Sequence, residues 1–157
     1  MKNILFIGLM LICNLMYSQN STYIREREYS GYVFDKGHFI FMSVENQKER
    51  YTPTQENIAQ VEKLLKDSIS YILKYQNKCK SPINKNTLKK YRRQYVGFLT
   101  KDNDIIIWVN FINNKGISDK ELSEDVIRVY DGGSNYWSIF VNLAKKELFE
   151  MQVNGTS

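Results

Sequence analysis

Few side chains in this chain could carry chemistry. There is one histidine, His38, and two cysteines, Cys13 and Cys79. A structural zinc cage usually takes about four Cys or His ligands, and a disulfide framework at least two pairs of Cys. Neither can be built here, and a serine-type triad would have to use His38. Cys79 lies in Lys78-Cys79-Lys80, where neighbouring cations would lower a thiol pKa in an open site. No sequence context links it to His38, so a thiol at a helix end is the simpler reading. Asp102-Asn103-Asp104 spaces its carboxylates as calcium loops do but lacks the Gly and Glu that complete such a loop. Asp131-Gly132-Gly133 could cradle a phosphate, yet no Lys-Ser or Lys-Thr and no helix follow it. Both are expected to be turns between strands. No acid falls on an apolar strand face, where burial would raise its pKa for acid-base work. The residues therefore predict no catalytic or metal site, no cofactor, and a protein that is not an enzyme.

Charge is the more informative signal. The chain of 157 residues has 22 bases and 17 acids, a net charge of +5. That mild average hides a local excess: Ser68 to Lys101 holds nine bases and no acid. Four tyrosines, Tyr71, Tyr75, Tyr91 and Tyr95, are interleaved with them. Arg and Tyr are favoured at interfaces, and a basic cluster attracts acidic partners through its long-range field. Lys74, Lys78, Lys85, Lys89, Lys90, Tyr91, Arg92, Arg93 and Tyr95 are the expected binding residues. An acidic protein, an acidic glycan or anionic headgroups are the expected partners. Nucleic acid is disfavoured, because the N-terminus reads as an export signal.

That signal is short. Met1-Lys2-Asn3 supplies a positive start, and Ile4 to Met16 is an apolar run of h-region length, too short to span a bilayer comfortably. Ser18 stands at the small-residue position before Gln19, so cleavage is expected between them. Residues 1–18 are then a signal peptide and 19–157 a single α+β domain. Ile12 before Cys13 argues against a lipid anchor. The prediction is a soluble exported protein, at the cell surface, in the periplasm or in the medium.

The elements that must position the basic residues follow from periodicity. Tyr29 to Phe34 and His38 to Val44 are rich in aromatic and β-branched residues and flank Asp35-Lys36-Gly37, which predicts a hairpin. Thr52-Pro53-Thr54-Gln55 is a helix start with Pro at the first helical position. Ile58, Val61, Leu65, Ile69 and Ile72 then recur at steps of three and four, predicting one helix that ends near Gln76. Its other face carries Glu56, Gln60, Glu62, Lys63, Lys66 and Asp67 and is expected to meet water. Strands are predicted over Gln94 to Leu99, Ile105 to Ile112, Val126 to Tyr130, Tyr136 to Asn142 and Glu147 to Val153. Ile105 to Ile112 is apolar on both faces, which only a central, covered strand normally tolerates. The expected architecture is α+β: one long helix packed on a curled antiparallel sheet, in the order hairpin, helix, then about five strands.

Three segments, Tyr91-Arg92-Arg93-Gln94-Tyr95-Val96-Gly97-Phe98, Val129-Tyr130-Asp131-Gly132-Gly133 and Val153-Asn154-Gly155, together with the leader and the long helix, resemble small exported proteins of the Bacteroidetes phylum of unassigned role. The helix followed by an antiparallel meander is also similar to the cystatin-like arrangement. That resemblance implies protease inhibition through a Gln-x-Val-x-Gly hairpin tip. In Gln94-Tyr95-Val96-Gly97 the Gly comes one place earlier. An exported binding domain for an acidic ligand is thus the first expectation, a cystatin-like inhibitor the alternative, and a small hydrolase the third.

Overall fold

The structure is a computed structural model and describes residues 21–75 and 82–155. Strands β1 (Ser21–Arg25), β2 (Ser30–Phe34) and β3 (Gln47–Tyr51) precede helix α1 (Gln55–Tyr75). A short 3-10 turn, Leu88–Lys90, leads into β4 (Arg92–Thr100) and β5 (Ile105–Ile112). The short helix α2 (Asp119–Glu124), β6 (Tyr136–Asn142) and β7 (Glu147–Val153) complete the chain. The result is the expected α+β fold, with one long helix on a curled and mostly antiparallel sheet of seven strands.

Strand β4 organises the sheet. Along one edge its first half, Arg92 to Tyr95, pairs with β2 in parallel, and its second half, Gly97 to Thr100, pairs with β3 antiparallel. Its other edge pairs throughout with β5, followed by β6 and β7. The parallel β2–β4 pair departs from the all-antiparallel expectation. The chain between them runs through β3 and α1, a connection long enough to return in the same direction.

The helix lies on one sheet face. Ile58, Val61, Leu65, Ile69 and Leu73 are buried against Tyr95, Ile107, Val109, Ile139 and Val141. Each such side chain contributes about 2 kcal/mol when fully buried. The opposite face carries Phe34, Val96, Phe98, Ile106, Trp108 and Phe140, and is covered by irregular chain from two segments. Strand β5 is thus buried from both sides, as its sequence predicts.

Three local expectations are corrected. Residues 38–44 form no strand; β2 makes its hairpin with β1 instead. The reason is packing: Ile40, Met42 and Val44 are spent on covering the second sheet face rather than on a ladder. Val126 to Tyr130 likewise forms no strand, so four strands follow the helix. Side-chain amides hold it in place of backbone: Gln94 Nε2 donates to Leu122 O and Asp125 O, and Asn110 Nδ2 to Ile127 O, all at 2.8–2.9 Å. Finally the N-cap of α1 is Thr54, not Thr52. Its Oγ1 accepts from Asn57 N at 3.2 Å, and its own N–H donates to Asn57 Oδ1 at 3.1 Å. Thr52 Oγ1 donates instead to Asp35 Oδ2, tying the 35–37 turn to the helix start. The Asp102 turn behaves as predicted, with Asn103 at φ 63° and Asp104 N bonded to Thr100 Oγ1. In the glycine turn Gly132 takes φ 86°, and a Cβ there would sit 2.7 Å from the Tyr136 ring.

Candidate functional site

The basic residues begin on a tight turn. Asn84 Oδ1 accepts from the backbone N–H of Asn86 and of Thr87, while Thr87 Oγ1 donates to Pro82 O at 2.9 Å. This local bonding competes with helix and holds the chain in a compact loop. Ile83 and Leu88 plug it into the core under α1. What remains outside is Lys85, Lys89 and Lys90, all exposed. Opposite Lys85 and Lys89, across a cleft of about 280 Å³, stand Lys63 and Lys66 from the solvent face of α1. Tyr29, Ala59 and Leu88 supply apolar wall, and Glu28 and Glu62 are the only carboxylates among the described residues of the lining. Five cationic side chains, counting Arg93 at the bottom, face those two acids. Lys63 also lies 3.5 Å from Asp67, one turn on, at the exposed surface. Such a pair is worth little.

The bottom of the cleft is a buried polar cluster. Arg93 Nε lies 2.7 Å from Glu62 Oε1, and Arg93 Nη1 donates to Tyr91 O at 2.8 Å. Tyr95 OH donates to the same Glu62 oxygen at 2.8 Å. The guanidinium stands 5.2 Å from the Phe111 ring centre and 5.8 Å from that of Tyr29. Burial pushes the Glu62 carboxyl above its ordinary range, against the pull of Arg93 and of the Tyr95 hydroxyl. Burial together with the Glu62 charge pushes Tyr95 well above the usual phenol range. Glu62 and Arg93 offset each other, so the field at the cleft mouth is that of four lysines against Glu28.

Alternation along β4 divides the predicted residues. Arg93 and Tyr95 face α1 and are 1% and 0% exposed, so they shape the interior and offer no surface to a partner. Tyr91 is interior too: its OH donates to Ser134 O, and its ring meets Phe111 and Trp137 edge-on. Arg92 points to the other sheet face, where Nη2 donates to Asn114 O and Ile117 O at 2.6 Å and Nη1 to Asp119 at 3.1 Å. It secures the loop before α2. Lys74 is exposed on the last turn of α1 but does not line the cleft, nor does Lys90. Lys78 and Cys79 lie outside the described residues, as does the leader. Of the predicted set, Lys85 and Lys89 meet at the cleft, with Arg93 beneath them. Sequence reasoning missed Lys63 and Lys66, whose three-residue spacing on one helical face was the available signal.

The remaining candidates resolve simply. His38 Nε2 is 3.3 Å from Asp125 Oδ1, and its ring packs on Phe34. This pins the 35–44 segment to the chain beyond α2. No hydroxyl or thiol is bonded to the His38 ring among the described residues. Gln94 to Gly97 lies within β4, every residue buried, rather than at a hairpin tip. Among the described residues no group of three or more His, Cys, Asp or Glu could hold a metal ion. No described helix is long and apolar enough to cross a membrane. No protein-family model matches the chain, and neither the curated proteins nor the solved structures contain a match to it.

Proposed function

We propose that this is an exported, non-enzymatic binding domain that takes an acidic ligand in the lysine-rimmed cleft between α1 and the 82–90 segment. The observation that carries this reading is the convergence of Lys63 and Lys66 with Lys85 and Lys89 around an apolar-walled cleft. Two elements distant in sequence bring cations together there at a cost in mutual repulsion, which an anionic ligand relieves. The test uses heparin, poly-glutamate and vesicles containing anionic headgroups as probes for the three ligand classes. Wild-type protein is expected to bind at least one, more weakly at about 300 mM than at about 50 mM salt as screening shortens the field. Lys85→Glu with Lys89→Glu should abolish that binding, whereas Lys120→Glu, an exposed lysine on α2, should not. Binding of no probe, or binding indifferent to the Lys85 and Lys89 reversals, rejects the reading.

A further inference from the structure

The sheet face turned away from α1 holds a second groove, of about 370 Å³ and separate from the lysine cleft. That volume lies in the range of about 300–1,000 Å³ typical of small-molecule sites. Strand register sets its floor in rows. Trp108 lies opposite Phe140, Asn110 opposite Ser138, and Ile112 opposite Tyr136. Gln152 of β7 continues the middle row beside Ser138. A polar row, Asn110–Ser138–Gln152, therefore runs between an aromatic pair on one side and Tyr136 on the other.

The members of this row differ in how far the fold uses them. On the helix side of the same strands the corresponding positions are apolar throughout, Val109 against Ile139 and Ile107 against Val141. Burying an amide or hydroxyl is costly unless it is bonded or wet; here Asn110 is buried, Ser138 part-exposed, and Gln152 exposed on the edge strand β7. Asn110 Nδ2 is committed to Gln94 Oε1 and Ile127 O. The Ser138 hydroxyl and the Gln152 amide have no side-chain hydrogen bond among the described residues, and both line the groove.

The wall is built rather than loose. Gln94 fixes residues 122–127 from below, and Asn154 Nδ2 donates to Val129 O and Asp131 O farther along. Between these anchors the wall presents Arg128, which donates to Phe41 O at 2.8 Å, and Tyr130, which is 94% exposed. Among the described residues no carboxylate lines the groove, and Arg128 is its only charged side chain. The chemistry on offer is thus aromatic surface beside neutral donors and acceptors. A ring carrying apolar C–H faces and equatorial hydroxyls satisfies both at once: stacking on Tyr130, hydroxyls bonded to Ser138 and Gln152. We propose that this groove binds a neutral saccharide.

The experiment is calorimetric titration of the purified protein with neutral xylo-, cello-, manno-, malto- and chito-oligosaccharides, at about 50 and about 300 mM salt. At least one series should bind saturably, with an affinity that changes little with salt. Tyr130→Ala and Gln152→Ala should each weaken it about tenfold or more. Both side chains are exposed, so these variants are expected to keep the wild-type fold, which circular dichroism checks. The Lys85 and Lys89 reversals should leave it unchanged, which separates this site from the lysine cleft. The proposal is overturned if no series binds, if binding survives both the Tyr130 and Gln152 substitutions, or if it vanishes with the lysine reversals.

Discussion

Glu62 occupies a position that the helix periodicity assigned to water, yet it is 8% exposed. It is drawn inward because Arg93 and Tyr95 stand on the facing strand, two residues apart and therefore on one side of the sheet. Burial raises the carboxyl pKa despite both partners. The native state therefore holds this proton to higher pH than the unfolded chain does, whose glutamates titrate near about 4.3. The contribution of Glu62 is fully present below that value and is lost as pH rises through the folded one. Glu62→Gln copies the protonated form. Its unfolding free energy should match wild type near pH 4 and exceed it increasingly as pH climbs, followed by urea denaturation across the range. Arg93→Met acts in the opposite sense, stranding a buried carboxylate, and should cost about 3 kcal/mol at neutral pH. A Glu62→Gln variant that loses ground as pH rises would contradict this assignment.

At the scale of elements, α1 and β4 set where the cleft forms. The helix start is locked by the reciprocal Thr54 and Asn57 bonds and by close docking on the sheet. Gly97 permits that approach, since a Cβ there would lie 2.4 Å from Tyr51 O and 2.9 Å from Pro53 Cγ. Removing the cap by Thr54→Ala should cost about 1 kcal/mol of stability in chemical denaturation. Thr52→Ala removes a bond at the exposed 35–37 turn instead, and should cost less. The reverse order would restore Thr52 as the cap. Sequence placed the helix correctly but not its cap: Thr-x-x-Gln from Thr52 and Thr-x-x-Asn from Thr54 are both capping patterns, and only the docked geometry chooses between them.

For the whole molecule, the sheet is covered by a regular helix on one face and by irregular segments on the other. Stability should follow that asymmetry. In native-state hydrogen exchange, the amides of β5, with ladders on both edges and cover on both faces, are expected to be the slowest. Residues 38–44 and 126–130, which lack strand ladders, should exchange fastest among the chain covering the core. Equal protection of 126–130 and β5 would show that the side-chain amide anchors match a full strand ladder. The two proposed sites lie on opposite faces, so charge at one and neutral polarity at the other can be tested independently.

The amino-acid sequence by itself determined the class of the fold, the span of the long helix, the doubly covered strand and the nature of the Asp102 turn. Those features rest on periodicity and local turn chemistry, which need only neighbouring residues. It also located the basic segment, because charge is a property of composition. The glycine turn, expected between two strands, instead joins the unladdered 126–130 segment to β6 through a 3-10 turn at Gly133–Asn135. Only the tertiary structure decided which bases line one cleft. Strand alternation at β4 sends Arg92 and Arg93 to opposite faces, and pairing with Glu62 takes Arg93 inside, leaving Lys85 and Lys89 to meet Lys63 and Lys66. The polar row Asn110–Ser138–Gln152 was equally hidden, since its members lie on three strands and become neighbours only through cross-strand register.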